Sequence, residues 1–139
     1  GIYGSLFGDP GINFLGINYA YWASPNVRWN AGIGTVIVGN TIGAGVNYYW
    51  TDAPMNRPYV GAGLNVLFYR DEDIWFNDDI DHSHNVSIFY PGLNIGFEFG
   101  GHNGVFFDVH LNAFLFMGND TNKTIFLDPI PSLALGMYF

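Results

Sequence analysis

From Ile130 to Phe139, large apolar side chains occupy alternate positions at Leu133, Leu135, Met137 and Phe139, with Ser132, Ala134 and Gly136 between them. Side chains alternate across a strand with period two, so this segment reads as a strand with one apolar face. The same pattern recurs upstream. Val105 to Met117 is apolar at every odd position, with Asp108, His110 and Asn112 on the other face. Ser87 to Phe99 sets Phe89, Leu93, Ile95 and Phe97 against Tyr90, Gly92, Asn94, Gly96 and Glu98. Arg57 to Arg70, Ile42 to Thr51, Val27 to Val38 and Asn13 to Trp22 alternate in the same way. Ile2 to Phe7 is a short first segment whose facing is ambiguous. Eight strands is an even number, as a closed single-chain barrel requires.

A second period supports this reading. Gly-x-Asn recurs at Gly16 and Asn18, Gly45 and Asn47, Gly63 and Asn65, and Gly92 and Asn94. In each case both residues fall on the less apolar face. Small residues there suit a narrow barrel interior, where strands curve and neighbours need room.

Composition decides which face points outward. Charged residues make up only 12% of the 139, and almost no Lys or Glu lies mid-strand. A soluble domain carries about a quarter charged residues. No apolar run approaches the roughly 20 residues of a membrane-spanning helix. The expectation is a single domain over residues 1–139: an eight-stranded antiparallel up-and-down transmembrane β-barrel. Its exterior is apolar and its interior polar and filled by side chains. The absence of cysteine removes thiol chemistry, and a net charge of -8 argues against a nucleic-acid partner.

The terminal aromatic strand resembles the C-terminal strand of bacterial outer-membrane barrels. The run Arg57-Pro58-Tyr59-Val60-Gly61-Ala62-Gly63-Leu64 resembles the small barrel family of the OmpA transmembrane domain and OmpX. The resemblance implies a bacterial outer-membrane location with both termini periplasmic. In that orientation Ser24-Pro25-Asn26, Asp52 to Asn56 and Gly100 to Gly104 are periplasmic connections. Gly39-Asn40 is a short outer turn, and the longest connection, Asp71 to Asn85, lies outside the cell. Tyr21, Trp29, Trp50, Phe107 and Phe139 then form a periplasmic aromatic girdle. Outer-membrane lipid and lipopolysaccharide are the expected surroundings, with a protein partner or larger envelope assembly as a further candidate.

Two groups of residues could carry chemistry. Parity turns Arg28, Arg57, Glu98, Asp108 and His110 into the lumen, with Asn112 and Tyr138 able to extend the set. Two arginines and two carboxylates predict an ion-pair network that plugs the barrel, with a proton relay or active site as the alternative. The outer loop carries Asp71, Glu72, Asp73, Asp78, Asp79, Asp81, His82 and His84. It reads as a solvated acidic loop, with divalent-cation or partner contact as the rival reading, Trp75 and Phe76 being exposed anchors for such a partner. The spacing is not that of an EF-hand, and neither a metal nor a cofactor is assigned.

Small outer-membrane barrels include lipid A deacylases, which carry His-x-Ser on a strand. Here that motif is not matched. Asp108 can orient His110, but no inward Ser or Thr is evidently placed beside it. The expected function is therefore non-enzymatic, structural or anchoring or surface-binding. A lipid A deacylase-like enzyme and a narrow ion-conducting pore are the alternatives.

Overall fold

A computed structural model describes residues 1–6, 15–36, 39–52, 55–71, 84–100, 104–117 and 124–139. These form eight strands: β1 (Ile2–Leu6), β2 (Leu15–Ser24), β3 (Val27–Val36), β4 (Gly39–Tyr49), β5 (Arg57–Asp71), β6 (His84–Gly100), β7 (Gly104–Met117) and β8 (Thr124–Tyr138). Each strand pairs antiparallel with its neighbours in sequence, and β1 pairs with β8 to close the barrel. Closure matters on a greasy wall, because an open edge would leave a row of backbone groups without partners.

Burial alternates along the strands with the period of the side chains. Leu64, Phe89 and Leu93 face outward and are 71%, 70% and 63% exposed. Arg57, Glu98, Asp108 and Asn18 face inward and are buried. The molecule is thus inverted relative to a soluble barrel, with its apolar face outside. In β1, Tyr3 and Ser5 point inward and Ile2 outward, which resolves the facing of the first segment.

The glycine and asparagine repeat has a packing reason. Gly61 stands between Asn47 of β4 and Asn94 of β6, both its register partners. A Cβ at Gly61 would collide with the side-chain amides of both. Gly32 makes the same room for Asn18. Each amide therefore lies over a neighbour's bare backbone, and the strands approach closely enough to close a small barrel.

Strand ends differ from the sequence expectation because backbone pairing outruns side-chain alternation. Gly39 and Asn40 are strand residues rather than a turn, paired with Val36 and Thr35 on one side and Tyr69 and Phe68 on the other. Asp71 and His84 do not belong to the acidic loop. They end β5 and begin β6 as register partners. Glu72, Asp73, Asp78, Asp79, Asp81 and His82 lie outside the described residues. The final strand begins at Thr124 rather than Ile130. A bulge opposite Asn112 and Phe114 breaks its alternation and hides the first half of the strand.

Candidate lumenal site

The inward face of the barrel concentrates charge near the rim that holds both chain ends. Arg28 enters from β3 just past the Pro25-Asn26 turn, and Arg57 is the first residue of β5. Glu98 lies near the end of β6, with Arg57 as its register partner on one side and Asp108 of β7 on the other. Asp108 and His110, two residues apart, share the inner face of β7. Arg28 reaches Glu98 across the lumen rather than along the wall.

Glu98 is the hub. Its Oε2 accepts from the Arg28 guanidinium, from the Tyr49 hydroxyl at 3.0 Å and from the Tyr138 hydroxyl at 2.9 Å. Its Oε1 accepts from Arg57 Nη2 at 2.5 Å. Arg28 Nη1 also donates to the Tyr138 hydroxyl at 2.6 Å, and Arg28 Nη2 lies 3.8 Å from Asp108 Oδ2. With the Asn47 amide oriented to satisfy both its ends, its oxygen accepts from Arg28 Nη2 at 2.8 Å. Asp108 Oδ1 accepts from the Tyr59 hydroxyl at 2.9 Å and meets His110 Nδ1 at 2.7 Å. A carboxylate can only accept, so that contact places a proton on Nδ1.

Aromatic rings enclose the charges. The Arg57 guanidinium carbon lies 4.3 Å from the Trp22 ring centroid and 4.6 Å from that of Tyr49. Arg28 lies within 5.4 to 5.9 Å of the rings of Tyr3, Trp22, Tyr49, Tyr59 and Phe106. Ring faces attract a desolvated guanidinium, and Arg suits such a place because it is weakly hydrated. Two arginines and two carboxylates balance when the imidazole is neutral. Away from water, balance and hydrogen bonding are what make buried charges tolerable.

Sequence reasoning did not assign Tyr49, Tyr59 or Trp22 to this cluster. Parity already turned Tyr49 and Tyr59 inward, and buried phenols beside carboxylates are a recognisable donor signal. Asn112 donates to the Ser132 hydroxyl at 2.8 Å, one layer further into the lumen. Ser132 corrects one expectation. It is the register partner of His110, so an inward serine does stand beside the Asp108–His110 pair. All three are buried. Among the described residues, no group of three or more His, Asp or Glu side chains is arranged to hold a metal.

Tyr21, Trp29, Trp50, Phe107 and Phe139 face outward at the rim that carries the chain ends. They stand outside the wall at about the level of the charged cluster inside it.

No protein-family model and no curated protein matches this chain. A solved structure does: the N-terminal β-barrel domain of Pseudomonas aeruginosa OprF. The TM-score is 0.67 and the identity 17%, over 99% of this chain and 93% of the other. The fold is therefore that of an eight-stranded outer-membrane-type barrel.

Proposed function

We propose that this chain is a bacterial outer-membrane barrel that acts without catalysis, as a structural anchor or a surface-binding protein. Its chain ends lie on the periplasmic side, and its interior is plugged by Arg28, Arg57, Glu98, Asp108 and His110. The observation that carries this reading is the inversion of the barrel. Side chains that dissolve in hydrocarbon cover the outside, while the buried charges lie in the lumen. Such a molecule is stable in a bilayer and exposes too much apolar surface for water. The level of Tyr21, Trp29, Trp50, Phe107 and Phe139 supports an interfacial girdle at the chain-end rim. An eight-stranded barrel is only just wide enough for side chains, which supports a plug over a channel. Outer-membrane lipid and lipopolysaccharide are then its surroundings. The acidic residues from Glu72 to His82 are its candidate contacts for cations or an extracellular partner.

Planar-bilayer recording of the purified protein tests the plug. The expected result is no steady conductance, and reproducible unit steps would replace the plug with a narrow pore. One observation favours the enzyme alternative: Ser132 stands opposite His110, which Asp108 orients. Burial of all three among arginines and tyrosines works against it, because a substrate ester needs a path to the nucleophile. Hydrolysis of lipid A by the purified protein that is lost in Ser132→Ala would establish that alternative.

A further inference from the structure

Among the described residues, four prolines lie within strands: Pro58 at the start of β5, Pro91 in β6, and Pro129 and Pro131 in β8. A closed barrel has no edge on which to place them, and each removes one backbone donor. In an antiparallel ladder, the N–H and C=O of one residue face the same neighbour, and successive residues face opposite neighbours. Ala20 and Gly1 exchange hydrogen bonds of 2.8 Å. Tyr49 donates to Asn26 at 2.8 Å and Trp50 to Pro58 at 3.3 Å. Carried through the register, these bonds make the odd residues of β6 face β7. They also make the odd residues of β8 from Pro131 onward face β1. Pro129 falls in the β8 bulge, and Pro131 faces β1 beyond Leu6↔Leu133, the last described pair of that seam. Pro91 turns its hydrogen-free nitrogen toward β7.

The β6–β7 seam ends there. Its pairing runs from Gly100↔Phe106 to Gly92↔Phe114 and stops, although β6 continues through Pro91 to His84 and β7 continues to Met117. The next position in the ladder needs a hydrogen from Pro91 for Leu115. The neighbouring β5–β6 seam is continuous from Arg57↔Glu98 to Asp71↔His84, so β6 itself is well formed. Past Gly92, rings join the two strands. Tyr90 of β6 stacks on Phe116 of β7 with centroids 4.7 Å apart and planes at 24°, and it meets Phe114 edge-on at 5.6 Å. On the outside, Phe89 and Leu93 flank Pro91 and are open to lipid.

We propose that this seam is a lateral portal. The strands part at Pro91, and a single alkyl chain from the surrounding lipid enters to lie against Tyr90, Phe114 and Phe116. The missing hydrogen bond lowers the cost of parting, and the ring contacts reclose the gap. The chemistry behind the seam selects the ligand: the rings offer apolar contact to a methylene chain and no ionic partner to a charged one. The proposal rests on the membrane-embedded reading above.

The test is photolabelling in phosphatidylcholine–phosphatidylglycerol vesicles with a long-chain fatty acid bearing a terminal diazirine, with adducts mapped by mass spectrometry. Native protein should carry adducts on outward Phe89 and Leu93 and also on inward Phe114. Tyr90 and Phe116, whose rings stack across the seam, are the positions at which a disulfide would tie the two strands together. In the oxidised Tyr90→Cys/Phe116→Cys variant, the outward adducts persist and the Phe114 adduct disappears, returning on reduction. Pro91→Thr, which restores the donor without new cysteines, lowers Phe114 labelling roughly fivefold, the effect of one backbone hydrogen bond on the opening equilibrium. An unlabelled Phe114 in native protein, or equal labelling in the locked and reduced forms, overturns the portal. Loss of the outward adducts as well would instead defeat the embedding on which it rests.

Discussion

The two halves of the lumen lie within one closed barrel, yet they are filled by opposite means. Near the chain ends, Arg28, Arg57, Glu98, Asp108 and His110 form one bonded set ringed by Tyr3, Trp22, Tyr49, Tyr59 and Tyr138. Toward the other end, the described inward side chains include Thr41, Asn65, Tyr90 and Phe114, which are neutral. Charges out of water are tolerable only while all their partners remain, so the first half stands or falls together. Losing one contact among rings and amides strands no charge, so the second half can loosen locally. The difference teaches where this barrel is rigid and where it can open.

The largest expected break in this contrast is Glu98→Ala. It leaves Arg28 and Arg57 buried with Asp108 as the remaining carboxylate, at 3.8 Å from Arg28. Breaking a buried pair by removing one partner costs about 3–5 kcal/mol. Urea unfolding in lipid vesicles, followed by the mobility difference between unheated and boiled samples on SDS gels, should show that loss. Adding Arg57→Met should recover part of it, because the second change removes a charge the first had stranded. A cost below 1 kcal/mol for Glu98→Ala, within the ordinary range for a neutral hydrogen bond, would mean that water reaches the cluster.

Tyr59→Phe comes next. It removes the hydroxyl that donates to Asp108 at 2.9 Å while keeping the ring. A hydrogen bond to a charged group is worth about 1.5–3 kcal/mol. Gly61→Ala, at the boundary between the halves, should cost about 1–3 kcal/mol, because overpacking forces neighbouring groups to shift. The groups that must move are the amides of Asn47 and Asn94. If it unfolds at the native urea concentration, the interlock of glycine and asparagine is looser than its geometry implies.

The faces of the barrel were legible in the sequence because period-two alternation survives on a wall that is apolar outside and polar inside. The facing of β1 was not legible, since Ile2–Leu6 is too short to establish a phase. The start of β8 was not, because its bulge shifts the phase and Pro129 and Pro131 read as breakers. Gly39 and Asn40 looked like a turn by residue type, although they pair on both sides. In the site, parity sorts side chains by face but says nothing about register across the lumen. That is why Glu98 as a hub between Arg28 and Arg57 could not be read from spacing. It is also why Ser132 escaped notice beside His110, since their pairing is set by the β7–β8 register and not by any motif in one segment.

Ser132→Ala is the smallest change and sharpens the comparison most. Ser132 is buried at the edge of the charged cluster, opposite His110, and its hydroxyl accepts from Asn112 at 2.8 Å. A neutral hydrogen bond of this kind contributes about 0.5–1.5 kcal/mol. If cooperativity is confined to the ionic layer, Ser132→Ala should cost that much and no more. Its effect should then add to that of Tyr59→Phe within about 0.5 kcal/mol, as independent sites do. A larger joint effect would tie Ser132 energetically to Asp108 and His110. The boundary between the rigid half and the loosening half would then lie above Ser132, closer to the Pro91 seam.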